Sequence, residues 1–280
     1  MDEEEDDLFI DEYEKWTNRV HKHNANIILQ LGHPGSCVLG DATGRTVLGV
    51  SAVANLITNI VPKEMNINEI KTIQKKFAQA ALRAKKAGFD GIEIHAAHVF
   101  LLNQFITPYY NHRNDIYGGS IENRARMLLE TYSEIREAVG EEYPIWVKVN
   151  STDGFQGGMS FADCQYVCKE LARLGVDAIE ISGDWVQLSS KKEINFKDEA
   201  AKIAQENNVA VIVTGGNRDY EEMEQLLNST NVGYFGIGRP LISDPDLVNK
   251  FEKEHLSRTK CINCNGCLNP SNGGICILNK

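Results

Sequence analysis

Short apolar segments alternate with longer amphipathic segments along most of this chain. The apolar segments predict six buried strands: NIILQ at 26–30, GIEIH at 91–95, PIWVKV at 144–149, AIEIS at 178–182, AVIVT at 210–214 and YFGI at 234–237. The amphipathic segments predict helices at 11–24, 67–87, 121–139, 160–174, 196–207, 219–229 and 246–256. Strands that are apolar on both faces and alternate with helices form parallel sheets, so the pattern predicts an α/β fold with helices outside the sheet.

Polar residues and glycines stand at or just past the C-terminal ends of these strands. They are Gln30, His95, Lys148, Ser182, Gly215 and Gly238. In a parallel barrel the C-terminal ends of the strands share one face, and that face carries the active site. The sequence therefore predicts that these side chains and loops meet at one functional face.

Two glycine-rich loops follow the last two predicted strands, TGGNRD at 214–219 and GIGRP at 236–240. Glycine lets the backbone approach an anion closely, and the start of a following helix offers unpaired N–H groups. Loops at this place in a parallel barrel commonly bind phosphate, and an arginine adds a charge-assisted hydrogen bond. Each loop taken singly also suits a tight turn beside a surface arginine, and neither has the full Rossmann dinucleotide fingerprint. The predicted phosphate-binding residues are Gly215, Gly216, Gly238 and Arg239.

A pair of histidines leaves the second predicted strand. His95 and His98 are three residues apart, close enough for both imidazoles to reach one oxygen atom. Two such donors polarise a carbonyl and withdraw electrons from a conjugated double bond. A metal site is the alternative, but no third ligand is evident nearby. The pair is therefore predicted to be catalytic.

The segment GFDGIEIHAAHVFLLNQFITPYYNHRNDIYGGSIENRARM at 88–127 resembles the signature of the old yellow enzyme family of FMN-dependent oxidoreductases. The usual form of that signature is close to HAAHGYLLNQF followed by N-R-x-D-x-Y-G-G-S-x-E-N-R. QLGHPG at 30–35 and GRPLISDPDL at 238–247 resemble further parts of the family pattern in the same order. The resemblance runs from about Ala25 to the C-terminus.

The resemblance implies a (β/α)8 TIM barrel that binds FMN, takes electrons from NADH or NADPH and reduces an α,β-unsaturated carbonyl or similar small electrophile. Gln30 would hydrogen-bond the edge of the flavin ring. Lys148 would stand near flavin N1 and the C2 carbonyl, where a cation stabilises the negative charge of the reduced flavin. The two glycine-rich loops would hold the FMN phosphate, and the histidine pair would bind the carbonyl oxygen of the substrate.

One departure from the family pattern concerns the proton donor. The family usually has a tyrosine two residues after the second histidine, and this chain has Phe100 there. A phenyl ring has no proton to donate, so the proton for the α-carbon must come from water or another side chain. The histidine pair is retained, whereas the tyrosine that donates the proton is not.

A second departure is the number of strands. Residues 1–257 supply about six strands, whereas the complete barrel has eight, so we expect a partial barrel that lacks the first two βα units. The chain is then a truncated open reading frame, a genuine fragment that pairs with another chain, or a degenerate protein. The competing functional hypothesis is a catalytically impaired remnant with no stable flavin site.

The third departure is a cysteine-rich tail at 258–280. It contains Cys261, Cys264, Cys267 and Cys276, and its C-x2-C-x2-C run is similar to iron–sulfur ligation. Larger relatives of the dienoyl-CoA reductase kind hold a [4Fe–4S] cluster at a similar place, with a longer last spacing. Structural zinc and plain reduced thiols are the alternatives.

Composition and charge narrow the class of protein. The 280 residues suit one large α/β domain, and the net charge of −10 argues against nucleic acid or an anionic membrane as the main partner. No apolar run approaches the length of a membrane span, and the acidic start MDEEEDD is unlike a signal peptide. We therefore expect a cytoplasmic enzyme, and a homo-oligomer is compatible with these data.

Overall fold

A parallel six-stranded sheet organises the computed structural model, which describes residues 7–38, 46–183, 194–253 and 257–279. The strands are β1 (Ile28–Leu31), β4 (Gly91–Ala96), β5 (Ile145–Asn150), β6 (Ala178–Ser182), β7 (Ala210–Thr214) and β8 (Tyr234–Gly236), hydrogen-bonded in that order. Every pairing is parallel, and the sheet curls into a half-barrel. A small parallel pair, β2 (Leu48–Gly49) and β3 (Lys63–Glu64), lies in the connection after β1.

Helices connect these strands. They are α1 (Ile10–His21), α2 (Ile67–Lys86), α3 (Leu101–Ile106), α4 (Ile121–Arg124), α5 (Arg126–Val139), α6 (Phe161–Arg173), α7 (Lys197–Glu206), α8 (Tyr220–Ser229), α9 (Arg239–Ser243) and α10 (Leu247–Lys253). Capping boxes start α2 and α6, where Asn66 and Ser160 each accept from the backbone N–H three residues on. Among the described residues, none of the helices combines the length and the apolar character that crossing a bilayer requires.

The predicted order of strands and helices is confirmed, with boundaries that shift by a few residues. The helix predicted at 121–139 divides at Ala125 into α4 and α5, although Ala125 itself has helical dihedral angles. The helix predicted at 246–256 is described as far as Lys253, and residues 254–256 lie outside the described part of the chain. The short elements β2, β3, α3 and α9 were not predicted, because they are too short to show a period.

The central strands have two chemically different faces. In β4, Ile92 and Ile94 are fully buried in the main core, and side chains alternate between faces along a strand. Glu93 and His95 therefore project from the opposite, concave face of the curled sheet. The described helices α2 and α5 pack against each other and bury apolar side chains, so the hydrophobic core lies on the outer side of the sheet.

The loop between α3 and α4 is fixed by buried polar side chains. Asn111 donates from Nδ2 to the carbonyl oxygens of Phe105 and Tyr117, at 2.6 and 2.7 Å. Arg113, buried in this loop, donates from Nη1 to the carbonyl oxygens of Val50 and Met65 at 3.0 and 2.6 Å. The polar residues after the histidine pair thus connect distant parts of the backbone.

Two adjacent glycines in this loop allow a test of its packing. A Cβ on Gly118 would lie 2.0 Å from the carbonyl oxygen of Arg113, whereas Gly119 has φ +84° and open space around a Cβ. We expect G119A to lower the free energy of unfolding by about 1 kcal/mol, the cost of a left-handed alanine. G118A should cost more, about 2–3 kcal/mol, because the backbone must move. Urea unfolding followed by circular dichroism measures both, and equal losses would contradict the described contact.

Candidate active site

A row of polar side chains crosses the concave face near the C-terminal ends of the strands. The strand register places Gln30 opposite Glu93, His95 opposite Lys148, and Lys148 opposite Glu180. The parallel sheet thus brings three of the residues singled out in the sequence onto adjacent strands. The two glutamates were not singled out, although a charge inside GIEIH and AIEIS is unusual for a buried strand and was a usable signal.

Two of these polar side chains, those of Gln30 and Lys148, are each held by a carboxyl group. Gln30 Nε2 donates to Glu93 Oε2 at 2.6 Å, and Lys148 Nζ donates to Glu180 Oε1 at 2.5 Å. Both side chains of the Lys148–Glu180 ion pair are about one-eighth exposed, at 13% and 12%. The pairing orients Lys148 on the concave face, where the family resemblance implies a cation near the flavin.

The two glutamates differ in protonation. Burial, reinforced by the neighbouring Glu180, raises the pKa of Glu93 to about 8. Burial also opposes ionisation of Glu180, but its hydrogen bond from Glu93 and the charge of Lys148 together lower its pKa. At neutral pH the site therefore holds a protonated Glu93 beside an ionised Glu180, so the charge of Lys148 is balanced by a single carboxylate.

The histidine pair lies next to this network. The ring centroids of His95 and His98 are 5.4 Å apart, and His98 Nε2 lies 2.9 Å from Ser182 Oγ. Burial, with Lys148 adding to it, lowers the pKa of His95 to about 4 and that of His98 to about 3. Both imidazoles are thus neutral at physiological pH, and each has one N–H to donate.

The ring of Phe100 covers His95 edge-on, with centroids 4.6 Å apart. His95 Nδ1 is buried, and within the described ranges it has no hydrogen-bond partner. A buried polar atom without a partner is costly unless a ligand or water satisfies it. The unpartnered His95 Nδ1 is therefore consistent with a site that is completed by a bound molecule.

The turn that carries His98 has an unusual backbone. His98 and Val99 have φ +56° and +64°, in the left-handed region that β-branched residues rarely adopt. Three amide side chains hold the turn: Asn150 accepts from His98 N, Asn103 accepts from Val99 N at 2.8 Å, and Gln104 donates to Val99 O at 2.5 Å. Strain of this kind persists only where the surroundings enforce it, and it concentrates at functional sites.

The predicted phosphate residues line one cavity of about 450 Å³ with His98 and Ser182. Its lining includes all four of them: Gly215, Gly216, Gly238 and Arg239. Gly215 and Gly216 have φ +118° and +79°, and a Cβ on Gly238 would meet nothing within 4 Å. Thr214 Oγ1 is also buried there, and its hydrogen bond to Glu180 helps to lower the pKa of that carboxyl group. These residues fit the phosphate of a flavin mononucleotide.

The cysteine-rich tail reaches the same cavity through residues that the sequence did not single out. Asn263, Asn265, Leu268 and Asn269 are part of its lining, and the Arg239 guanidinium donates to Asn265 Oδ1. No pattern in the sequence pointed to these positions, because their role depends on how the tail folds back onto the sheet.

The predicted metal site in the tail does not form in the described part of the chain. Cys264 is exposed, Cys276 is buried, and Cys261 and Cys267 are half-buried. Within the described ranges, no group of three or more histidine, cysteine or acidic residues is placed to hold a metal ion. The arrangement of these thiols in the structure does not fit a metal cluster. Support for a cluster comes from the C-x2-C-x2-C spacing in the sequence alone.

Comparisons with known proteins identify the family. Residues 4–257 match the NADH:flavin oxidoreductase / NADH oxidase family, and the chain belongs to it. It is 34% identical to the NADH oxidase of Thermoanaerobacter brockii over 94% of this chain and 42% of that protein, so it spans about two fifths of that relative. It is also 34% identical to the NADPH dehydrogenase of Bacillus subtilis, over 89% of this chain and 72% of that protein.

Solved structures confirm the fold. Morphinone reductase in complex with tetrahydroNAD superposes with a TM-score of 0.75 at 28% identity, over 90% of this chain and 72% of that one. An old yellow enzyme homologue from Zymomonas mobilis gives a TM-score of 0.78 at 24% identity, over 91% and 74% of the two chains. The resemblance to the old yellow enzyme family and the partial TIM-barrel architecture are therefore confirmed.

Two substitutions at Val99 test the strained turn. V99A and V99G both remove the packing of the side chain, but only alanine retains the cost of a left-handed backbone, about 1 kcal/mol. We expect V99G to be more stable than V99A in urea unfolding. The control pair is L82A and L82G on the partly exposed face of α2, where glycine should be the less stable by about 1 kcal/mol. If the alanine variant were more stable than the glycine variant at both positions, a left-handed Val99 would be contradicted.

The neutral histidines predict a pH dependence of stability. Their pKa values are lower in the folded protein than in the unfolded chain, so unfolding binds protons below about pH 6.5. Stability should therefore fall as the pH drops from about 6.5 towards 4. We expect H98Q to reduce this slope by up to about 1.4 kcal/mol per pH unit. Urea unfolding between pH 7.5 and 5 measures it, with H23Q at an exposed position as the control; equal slopes in both variants would contradict the burial of His98.

Proposed function

We propose that this chain is the FMN-binding catalytic part of an NAD(P)H-dependent oxidoreductase that reduces an α,β-unsaturated carbonyl compound or a similar small electrophile. One observation carries the proposal: a single cavity joins the His98–Ser182 pair to the two glycine-rich loops and Arg239. A site with neutral N–H donors at one end and an anion-binding end opposite suits a phosphorylated cofactor with a carbonyl substrate beside it.

FMN, when bound, supplies the transfer of hydride between the nicotinamide and the substrate. Membership of the flavin oxidoreductase family supports this cofactor. Gly216, Gly238 and Arg239 would hold its phosphate, and Gln30 and Lys148 would face the edge of its ring. Because Glu180 already balances Lys148, the lysine would act as a hydrogen-bonding cation whose position is set by that ion pair.

The histidine pair would bind the substrate. Its low pKa values keep both rings neutral, so they donate hydrogen bonds to a carbonyl oxygen without carrying a charge that would need a counter-ion. Polarising the carbonyl makes the β-carbon a better hydride acceptor. Phe100 has no proton to give, so the proton that reaches the α-carbon comes from water or from another side chain.

The names of relatives support the reaction class. One relative, 30% identical over 93% of this chain and 43% of that protein, is a cinnamate reductase from Clostridium sporogenes. Morphinone reductase is among the structural neighbours. Cinnamate and morphinone both contain a carbon–carbon double bond conjugated to a carbonyl group. The relatives include both an NADH oxidase and an NADPH dehydrogenase, so the proposal covers both nicotinamides.

The proposed location is the cytoplasm, where nicotinamides are available and thiols stay reduced. It is supported by the seven cysteines, all of which are free thiols in the structure. Binding of a [4Fe–4S] cluster or zinc by the tail remains a hypothesis that is supported by the cysteine spacing. Metal and sulfide analysis of the purified protein tests it directly.

An FMN titration followed by steady-state kinetics tests the function. We expect quenching of flavin fluorescence to saturate near one FMN per chain, and the loaded protein to oxidise NADH or NADPH with 2-cyclohexenone as acceptor. H98A should lower kcat/KM for the enone about 100-fold, as expected for loss of one oxyanion donor. Turnover with ferricyanide, which needs no polarised carbonyl, is the matched control. Protein that is folded and binds no FMN would instead support the catalytically impaired remnant.

A further inference from the structure

The tail contributes a wall to the phosphate cavity although it lies beyond the family match, which ends at residue 257. The two glycine-rich loops form part of the cavity, and the tail residues Asn263, Asn265, Leu268 and Asn269 also line it.

The tail is attached to the loop after β7 and to the end of α9, the helix that follows the second glycine-rich loop. At its start, Thr259 N donates to Arg218 O at 3.0 Å, and Arg258 forms an antiparallel bridge with Asp219, both in the loop after β7. At its end, Asn279 Nδ2 donates to the carbonyl oxygen of Ser243 at 3.0 Å, at the end of α9. The segment between these attachments runs from the first loop to the helix after the second, and it lines the same cavity as both loops.

This segment presents asparagine side chains to the cavity. Asn263 and Asn265 have φ +60° and +59°, a left-handed conformation that asparagine adopts more readily than most residues. Asn263 is 8% exposed, and Asn265 Oδ1 accepts a hydrogen bond from the Arg239 guanidinium. Asn272 donates from Nδ2 to Gly266 O at 2.7 Å and closes the loop behind them.

The charge in the cavity favours an anion. Arg239 and Arg218 both line it, and the pKa of Arg218 is lowered first by burial and then by other charges that include Arg239. Two guanidinium groups that line one cavity repel each other, and a bound dianion relieves that repulsion. The amide groups of the tail add neutral hydrogen-bonding capacity at the same place.

We propose that the segment 263–269 is the third wall of a phosphomonoester site, with Asn265 as the positioning residue that holds Arg239 towards the phosphate. The inference rests on the proposed FMN function, because FMN is the phosphomonoester that the site would take. It assigns the tail a role in cofactor affinity that is independent of any metal bound by its cysteines.

Comparison of FMN with riboflavin isolates the phosphate, since the two flavins share the ring and ribityl chain. For the wild-type chain we expect FMN to bind more tightly than riboflavin. N265A should weaken FMN binding about tenfold, the equivalent of one charge-assisted hydrogen bond, and leave the dissociation constant of riboflavin unchanged. N265D should weaken FMN binding further, because a carboxylate opposes the phosphate and competes for Arg239.

The matched control is N249D, which adds the same charge at an exposed residue of α10 and should keep FMN affinity within about twofold of wild type. Unchanged riboflavin binding by N265A and N265D shows that these variants are folded. If both variants bind FMN as tightly as the wild type does, the role of the tail is overturned while the proposed function stands.

Inorganic phosphate is a second probe. It separates the proposed FMN-dependent function from the proposed tail wall of the anion site when no flavin binds. Inorganic phosphate should raise the thermal midpoint of the wild-type protein and of N249D, and raise that of N265D much less. This result without flavin binding would overturn the proposed function and retain the anion site with its tail wall. A wild-type protein that binds neither flavin and gains no stability from phosphate would overturn both.

Discussion

The parallel register of β4, β5 and β6 is the constraint on which the rest of the site depends. It places His95 opposite Lys148 and Lys148 opposite Glu180, so that polar side chains from three strands point to the same concave face. Because all strands run in the same direction, their following loops also collect at one edge of the sheet. The histidine turn, the serine that it contacts and both glycine-rich loops therefore share one cavity.

Burial determines the electrostatic state of this face. It keeps the histidines neutral and Glu93 protonated, whereas Glu180 stays ionised because it pairs with Lys148. An ion pair that is mostly removed from water contributes little net stability, but losing one partner would leave a costly unpaired charge. The network therefore serves mainly to fix the position of Lys148.

The cavity is closed by parts of the chain that are far apart in the sequence. The loops after β7 and β8 provide glycines and arginines, and the tail crosses between them with Asn263 and Asn265. Left-handed backbones recur at this site, at His98 and Val99 as well as at the two asparagines. At His98 and Val99, hydrogen bonds from Asn103, Gln104 and Asn150 hold a conformation that is locally unfavourable. At Asn265, the side chain accepts a hydrogen bond from Arg239.

The sequence by itself determined the order of strands and helices, because short, mainly apolar strands such as GIEIH and AIEIS alternate visibly with longer amphipathic segments. It also indicated the functional edge, since polar residues at strand ends and glycines in loops are local features. The family was identified from the same residues. The positions of Gln30 and Lys148 on the concave face followed from this pattern, but their carboxyl partners did not.

Only the tertiary structure decided which residues meet. The Gln30–Glu93 and Lys148–Glu180 pairs depend on strand register, and Asn265 reaches Arg239 because the tail folds back between two loops. A left-handed Val99 contradicts local propensity and could not be predicted from it. The different burial of the four tail cysteines likewise depends on how the tail packs, whereas their regular spacing in the sequence indicates a metal site. Contacts across large sequence separations are set by the packed chain as a whole, and short-range patterns indicate a shared face without specifying which side chains pair on it.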